Sequence, residues 1–348
     1  MSSIKSVLFL ADYQSDFLQQ TIFKGLCQVL GTQNVAVMPY VDHFRGRVDD
    51  HYILPDGKRG CTGPPSFLKP EPDTDWDQEK ILAHLEDFDL IILGSPRQYA
   101  LASLDTIRAT HRRTPPLVIC SGEDYAWCGV DEQLLSKFRP IAYFKRELEQ
   151  PREHVYPLPF AAFTDAYPEV DDTVKRYSIY AAFGNTWPSR MKLVRMLGEA
   201  NYPNSYIATN SDFLDETLPN VKSLQSFDEY IRGIAQSKIT FVMRGWGRDT
   251  VRAWEATAFN TCVFWCEPGI LYPHPFEDRI HVVNYAEDLT GLRDLIEYYL
   301  THDDEREAIA MRGKSHTLRY HTTKARAEYL LEVTEQCLSS KPVVSVIP

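Results

Sequence analysis

Hydrophobic and polar positions follow a regular order along this chain. Short apolar runs of strand length are separated by longer stretches whose apolar residues recur at helical spacing. Residues 4–10 make the first apolar run. A stretch with Phe17, Ile22, Phe23, Leu26 and Leu30 follows and closes at Gly31. Residues 35–38, 89–94, 117–121 and 141–144 predict further strands. Strands alternating with helices imply βαβ units on a parallel sheet. The pattern lapses over residues 151–168, where Pro151, Pro157, Pro159 and Pro168 occur with little periodicity, and this segment reads as an interdomain connection. It resumes with strands at 177–183, 206–209, 221–224, 239–243 and 261–266 and helices at 190–198, 227–235 and 289–300. The 289–300 helix carries Leu289, Leu292, Leu295, Ile296 and Tyr299 on one face. Asp303 or Asp304 is placed to cap a further helix. Thr322 or Thr323 is placed to cap a last one, with Ala325, Tyr329, Leu330, Val333 and Cys337 at helical spacing. Residues 342–348 are expected to fray. Residues 46–78, where glycines alternate with prolines and acidic residues, read as a long excursion from the first domain, either a lid or a decoration.

Ligands of parallel sheets bind beyond the carboxyl ends of the strands. In the first half this singles out the loops at 12–16, 95–99 and 122–125. Asp12, Glu123 and Asp124 are the candidates there for a general base that deprotonates a hydroxyl. The alternative makes Asp12 the cap of the first helix and Asp124 the cap of the helix after it. No glycine-rich phosphate loop follows the first strand, which points away from a dinucleotide in this half and toward an acceptor.

The second half holds a strand–loop–helix–strand stretch over residues 237–266. Its loop carries Arg244, Gly245, Gly247 and Arg248, and Asp249 or Thr250 is placed to cap a helix reaching about residue 259. A helix start offers unpaired N–H groups and the positive end of the macrodipole to an anion. The glycines permit a sharp turn or close approach, and the arginines add forked, fixed charge. Arg252 and Glu255, three apart, are placed to pair with each other, and Glu255 is equally placed to bind a ribose diol. A capped surface helix with a solvated charge pair is the other reading. A second strand–glycine–helix turn contains Gly184, Asn185 and Arg190, with Ser189 placed as helix cap. Glu267 follows a strand end, where it suits either a sugar or ribose contact or a plain turn. His274 and His281 read as structural.

Composition narrows the classes. A chain of 348 residues with 44% hydrophobic content suits two ordinary cores. A net charge of −11 with a pI near 5.4 argues against a dedicated nucleic-acid binder. The seven cysteines are scattered, and Cys120, Cys262 and Cys266 lie in apolar runs, as reduced buried thiols do. Cys262 and Cys266 have no matching His/Cys pair nearby to complete a zinc site. No apolar run approaches a membrane span, and residues 1–5 lead into a strand without a signal-peptide pattern. These features predict a reduced, cytoplasmic protein.

The stretch Arg244-Gly-Trp-Gly-Arg-Asp-Thr-Val-Arg-Ala-Trp-Glu-Ala256 resembles the donor-site segment of GT-B glycosyltransferases, in the CgeB-like group 1 branch, and exostosin-type transferases carry a similar pattern. Residues 278–289, 299–306 and 321–326 resemble the ending of the CgeB-like branch block by block, and the resemblance covers residues 177–335. It implies an α/β, GT-B-like fold of two Rossmann-type parallel-sheet domains facing a cleft. Residues 1–165 would form the acceptor-side domain and 170–322 the donor domain, with a helix at 323–340 crossing back to the first. The implied reaction moves a sugar from a nucleoside-diphosphate donor, a UDP- or GDP-sugar, to a hydroxyl of a glycan, polysaccharide, glycolipid or small molecule. Gly184, Asn185 and Arg190 match positions where such donor domains meet the donor's phosphates. Arg244, Gly245, Gly247, Arg248, Asp249, Thr250, Arg252, Glu255 and Glu267 complete the implied donor site. No permanently bound cofactor is expected, and the arginines are expected to replace a metal, since no Asp-x-Asp of the kind found on a GT-A sheet is read. The two glutamates eight apart that mark many retaining GT-B enzymes are half present, because Gly247 stands opposite Glu255. Two other classes stay open: a nucleotide- or sugar-binding protein of this shape without catalysis, and a nucleotide-sugar epimerase or phosphorylase.

Overall fold

A computed structural model describes residues 3–14, 16–41, 44, 76–124, 130–210, 214, 217–224 and 226–339. The apolar runs of the first half become β1 (Val7–Leu10), β2 (Val35–Met38), β3 (Leu90–Leu93), β4 (Leu117–Ser121), β5 (Ala142–Lys145) and β6 (Val155–Pro157). They pair in parallel in the order β2-β1-β3-β4-β5-β6. β1 to β5 are buried along their length, as parallel strands covered on both faces must be, which is why they read as continuous apolar runs. Helices α1 (Phe17–Leu30), α2 (Gln78–Ala83), α3 (Gln98–Thr110) and α4 (Glu132–Phe138) alternate with them. One core joins Leu8 and Leu10 of β1, Ile91 and Leu93 of β3, and Leu104 and Ile107 of α3.

The second half repeats the plan. β7 (Tyr177–Phe183), β8 (Ser205–Thr209), β9 (Val221–Ser223), β10 (Ser237–Val242), β11 (Cys262–Cys266) and β12 (Val283–Tyr285) form a parallel sheet in the order β12-β11-β10-β7-β8-β9. Helices α5 (Pro188–Ala200), α6 (Phe227–Ala235), α7 (Val251–Thr257), α8 (Leu292–Thr301) and α9 (Asp303–Tyr320) accompany it. Ile179, Phe183, Leu197, Phe241, Phe264 and Ile296 belong to its core. The chain divides into two compact units: Met1–Ala166 with Ile270–His274 and Thr322–Pro348, and Tyr167–Gly269 with Pro275–His321. α10 (Thr323–Leu338) belongs to the first unit and packs along α1, where Gly25 admits the Thr323 carbonyl so closely that a Cβ on it would lie 2.1 Å away.

Several local expectations change. The connection expected at 151–168 supplies β6, and β12 adds a second strand that the pattern did not announce. Both are three residues long at a sheet edge, too short for a period to show. Asp16, not Asp12, caps α1, accepting from Leu18 N at 2.8 Å, and Asp131, not Asp124, caps α4. Ser189 lies inside α5, which starts one residue earlier at Pro188, and its hydroxyl goes to Glu287 at 2.8 Å. Asp303 sits in the first turn of α9 and pairs with Arg306 instead of capping. Thr322 does cap α10, through Ala325 N. Residues 45–75, most of the expected excursion, lie outside the described residues, as do Tyr125 of the third loop and the 342–348 tail; α2 begins within the expected excursion.

Candidate functional site

The carboxyl edge of the second sheet brings most of the expected residues together. β7 and β10 are hydrogen-bonded neighbours, so the loops that leave them, 184–187 and 243–250, lie side by side. Arg190 of α5 laces them together. Its Nε donates to the Arg244 carbonyl at 2.8 Å, Nη1 to the Gly184 carbonyl at 3.3 Å and Nη2 to the Met243 carbonyl at 3.2 Å. Gly245 packs against this guanidinium. A Cβ there would lie 3.1 Å from both Arg190 Nη2 and Thr186 Oγ1, so a side chain would crowd both. Burial, reinforced by the like charge of Arg252, pulls the Arg190 pKa down to about 10.

Two more guanidiniums flank this knot. Arg244 stacks on the Trp187 indole at 3.8 Å, and that indole is fixed by its own N–H, which donates to Glu287 at 2.8 Å. Arg252 lies over the Phe183 and Tyr230 rings at 4.3 and 4.9 Å and donates through Nη2 to the Ala182 carbonyl. It does not pair with Glu255 as their spacing suggested. Glu255 is buried and accepts instead from the Tyr230 hydroxyl of α6 at 2.8 Å. Burial raises the Glu255 pKa, against the Tyr230 bond and the Arg252 charge, which act to lower it.

The decisive feature is what remains unsatisfied. Thr186 Oγ1, Arg244 Nε, Thr250 Oγ1 and Arg252 Nη1 are buried and find no hydrogen-bond partner among the described residues. Each such group costs about 1–3 kcal/mol when left unpaired. Three of them lie on two neighbouring loops and the fourth, Arg252 Nη1, in the first turn of α7, a polar cluster among three guanidiniums whose chemistry suits an anion that accepts many hydrogen bonds.

Not every expected residue joins it. Thr250 does, since it is the N-cap of α7 but its hydroxyl makes no capping bond. Asp249 is buried and accepts from the Trp254 indole N–H at 2.9 Å, a bond internal to the loop–helix junction. Arg248 ties down the loop after β11 through the Pro268 and Gly269 carbonyls at 3.2 and 3.4 Å. The Asn185 amide is held by Asn210 at 2.9 Å, Gly247 closes the turn by accepting from Gly245 N at 2.9 Å, and Glu267 is exposed. Thr186, Trp187 and Tyr230 were not singled out from sequence. The first two stand between Gly184 and Arg190 and were readable there, whereas Tyr230 arrives from another helix and only the fold brings it in.

In the first unit the three proton-acceptor candidates part ways. Asp12 is 1% exposed. Its Oδ1 accepts from Gln14 N at 2.9 Å and its Oδ2 from Tyr99 N and Ala100 N at 2.8 and 3.4 Å, so it satisfies the start of α3 and offers no surface to an acceptor. Glu123 is held by Arg97 at 3.3 Å and Asp124 by the buried Arg146 at 2.5 Å, and both are accessible. Beneath them lies Asp16, overlooked from sequence, whose pKa burial raises while Arg97 and Arg146 act to lower it. Gly122 passes so near that a Cβ would meet its carboxylate at 2.5 Å.

Two parallel-sheet α/β units with strands in this order are the architecture of the GT-B fold of glycosyltransferases. Residues 179–332 match the family model described as glycosyl transferase-like, and no curated protein matches the chain. Among solved structures the chain is similar to a glycosyltransferase from Rickettsia africae, with 11% identity, 97% of this chain and 100% of that chain covered, and a TM-score of 0.62. It is similar to HepE of Anabaena in complex with UDP, with 12% identity, 96% and 100% coverage and a TM-score of 0.61. An α-glucosyltransferase in complex with UDP and a 13-mer DNA aligns with 10% identity, 96% and 100% coverage and a TM-score of 0.58. At these identities the likeness is one of fold.

Proposed function

We propose that this protein is a glycosyltransferase that binds a nucleoside-diphosphate sugar at the arginine-lined edge of its second unit and passes the sugar to a hydroxyl acceptor. The observation that carries the reading is the set of four unsatisfied buried polar atoms among Arg190, Arg244 and Arg252. A diphosphate supplies the negative charge and the acceptor oxygens that this cluster lacks. The glycosyl transferase-like match over 179–332 supports the same assignment, as do the UDP complexes of HepE and of the α-glucosyltransferase. A uridine or guanosine donor is proposed, and the branch is the CgeB-like one with its exostosin-like motif.

Three cations fixed against the leaving diphosphate would stabilise the charge that grows as the glycosidic bond breaks. They would do so without a divalent ion, so nucleotide affinity is expected to survive excess chelator. The acceptor proton is assigned to Glu123 or Asp124. Alanine variants at both positions that keep full turnover would remove them from the mechanism. The strongly acidic balance of the chain favours a carbohydrate or small-molecule acceptor over nucleic acid. Among the described residues no helix is long and apolar enough to cross a membrane, and a cytoplasmic enzyme is part of the proposal.

The test is a thermal-shift screen with UDP, GDP, CDP, ADP and dTDP, followed by hydrolysis or transfer assays with the matching sugar nucleotides. Stabilisation by one diphosphate with turnover of its sugar supports a transferase. Stabilisation without turnover identifies a binding protein, and no response to any diphosphate defeats the donor site.

A further inference from the structure

A cavity of about 220 Å³ opens in the first unit beside the carboxyl ends of β1 and β2. Tyr13, Tyr99, Met38 and Pro39 give it apolar walls, and Gln78, Ser103 and Thr106 add an amide and two hydroxyls. The two tyrosine rings meet edge to face at 5.0 Å and 81°. No charged side chain lines the cavity among the described residues.

The backbone around both tyrosines is tied by buried side chains. The buried Asp12 carboxylate grips the backbone on both sides of the pair, at Gln14 N and at Tyr99 N. The fully buried Gln19 of α1 accepts from Asp12 N at 3.0 Å and donates to the carbonyls of Asp12 and Gln14 at 3.1 and 2.7 Å, so Tyr13 is fixed from before and behind. Neither ring belongs to the core of this unit. Two buried polar side chains thus hold the backbone that carries a pair of aromatic rings beside a small neutral cavity. Rigid support of this kind is what a binding surface requires and a solvated loop does not.

We propose that this cavity takes a neutral pyranose ring of the acceptor, with the ring's C–H face against the tyrosines and its hydroxyls toward Gln78, Ser103 and Thr106. The proposal rests on the glycosyl-transfer reading for the word acceptor; the cavity's preference for a neutral ring rests on its own lining. The cavity is too small for a drug-sized ligand, whose pockets begin at about 300 Å³. An aromatic ligand would leave the Ser103 hydroxyl and the Gln78 amide unanswered (the Thr106 hydroxyl donates to the Ala102 carbonyl at 2.9 Å and is left to accept), and an anion would meet no cation. Asp12 then acts as a positioning residue, which accounts for a carboxylate at a sheet edge that has no exposed oxygen.

The experiment is saturation-transfer NMR on the full chain with methyl β-glucopyranoside, methyl β-galactopyranoside and methyl α-mannopyranoside as probes, and with glucuronate and p-cresol as contrasts. At least one methyl glycoside is expected to receive saturation. Ser103→Trp, which fills the cavity from a surface helix, and Tyr99→Ala, which removes one wall, should each weaken that binding about tenfold, the worth of an aromatic contact of roughly 1.4 kcal/mol. UDP affinity, measured on the same samples, should stay within about twofold, so failure of the donor site is read separately, and an unchanged calorimetric transition of the first unit shows that each variant is folded. Absence of transfer to all three glycosides, equal transfer in both variants, or stronger binding of glucuronate or p-cresol overturns the proposal.

Discussion

Arg190, Arg244 and Arg252 show how much of a site can hide behind a plausible motif. Arg190 and Arg244 stood out with Arg248 as sources of positive charge and Arg252 as a partner for Glu255, but in the structure their work is divided differently. Arg190 spends three N–H groups on backbone carbonyls and acts as the clasp of two loops, while Arg244 and Arg252 each keep one buried N–H without a partner. Arg244→Ala should therefore weaken UDP binding by roughly ten- to a hundredfold, the loss of a charge-assisted bond of about 1.5–3 kcal/mol. Titration calorimetry measures it, and an unchanged affinity would count decisively against the donor site. The expected pairing of Arg252 with Glu255 failed for a physical reason. Helical spacing brings two residues within reach, but the Phe183 and Tyr230 rings and the Ala182 carbonyl compete successfully for the guanidinium, and Tyr230 takes the carboxylate.

At the scale of elements, two packings invite tests. α1 and α10 touch at Gly25, where the Thr323 carbonyl and the Ala327 methyl leave no room for a side chain. Gly25→Ala should destabilise the first unit by about 1–3 kcal/mol, the usual penalty of overpacking, as followed by chemical denaturation. In the second unit the His281 and His316 rings lie 4.2 Å apart, and His281 Nδ1 accepts from the Glu277 amide at 3.2 Å. Burial, with His316 and Arg312, holds the His281 pKa below its ordinary 6.5, against the pull of Glu277. The unfolded chain therefore binds this proton more readily. The stability His281 confers is present above pH 6.5 and is lost as pH falls through that value toward the folded pKa. Denaturation midpoints between neutral pH and about pH 5 should fall less steeply in His281→Phe than in the parent chain. Equal slopes would mean that His281 is not the titrating group.

For the whole molecule, two units with separate cores should be distinguishable in calorimetry, and a nucleotide bound to the second should act on that one alone. At a hundred times its Kd, UDP should add about 2.7 kcal/mol to one transition and leave the other in place. A shift of the first unit's transition alone would place the nucleotide elsewhere. The Gly25→Ala variant identifies the first unit's transition independently.

The sequence by itself determined the architecture. Strands buried on both faces must be continuously apolar, so β1, β3, β4, β7, β10 and β11 announced themselves. Glycine and arginine after two of those strands marked the loops at which the donor site is proposed. The pattern was silent where local chemistry carries no signature. β6 and β12 are edge strands of three residues. Capping by Asp16 and Asp131 instead of Asp12 and Asp124 turns on which carboxylate lies nearest a helix start. Only the tertiary structure decided the partners of each polar group. Asp12 faces α3 from a distant loop, Tyr230 reaches Glu255 from another helix, and four buried atoms find no partner among the described residues. Apolar periodicity is a property of neighbours along the chain, whereas a binding site is made of groups that meet only after the chain has folded.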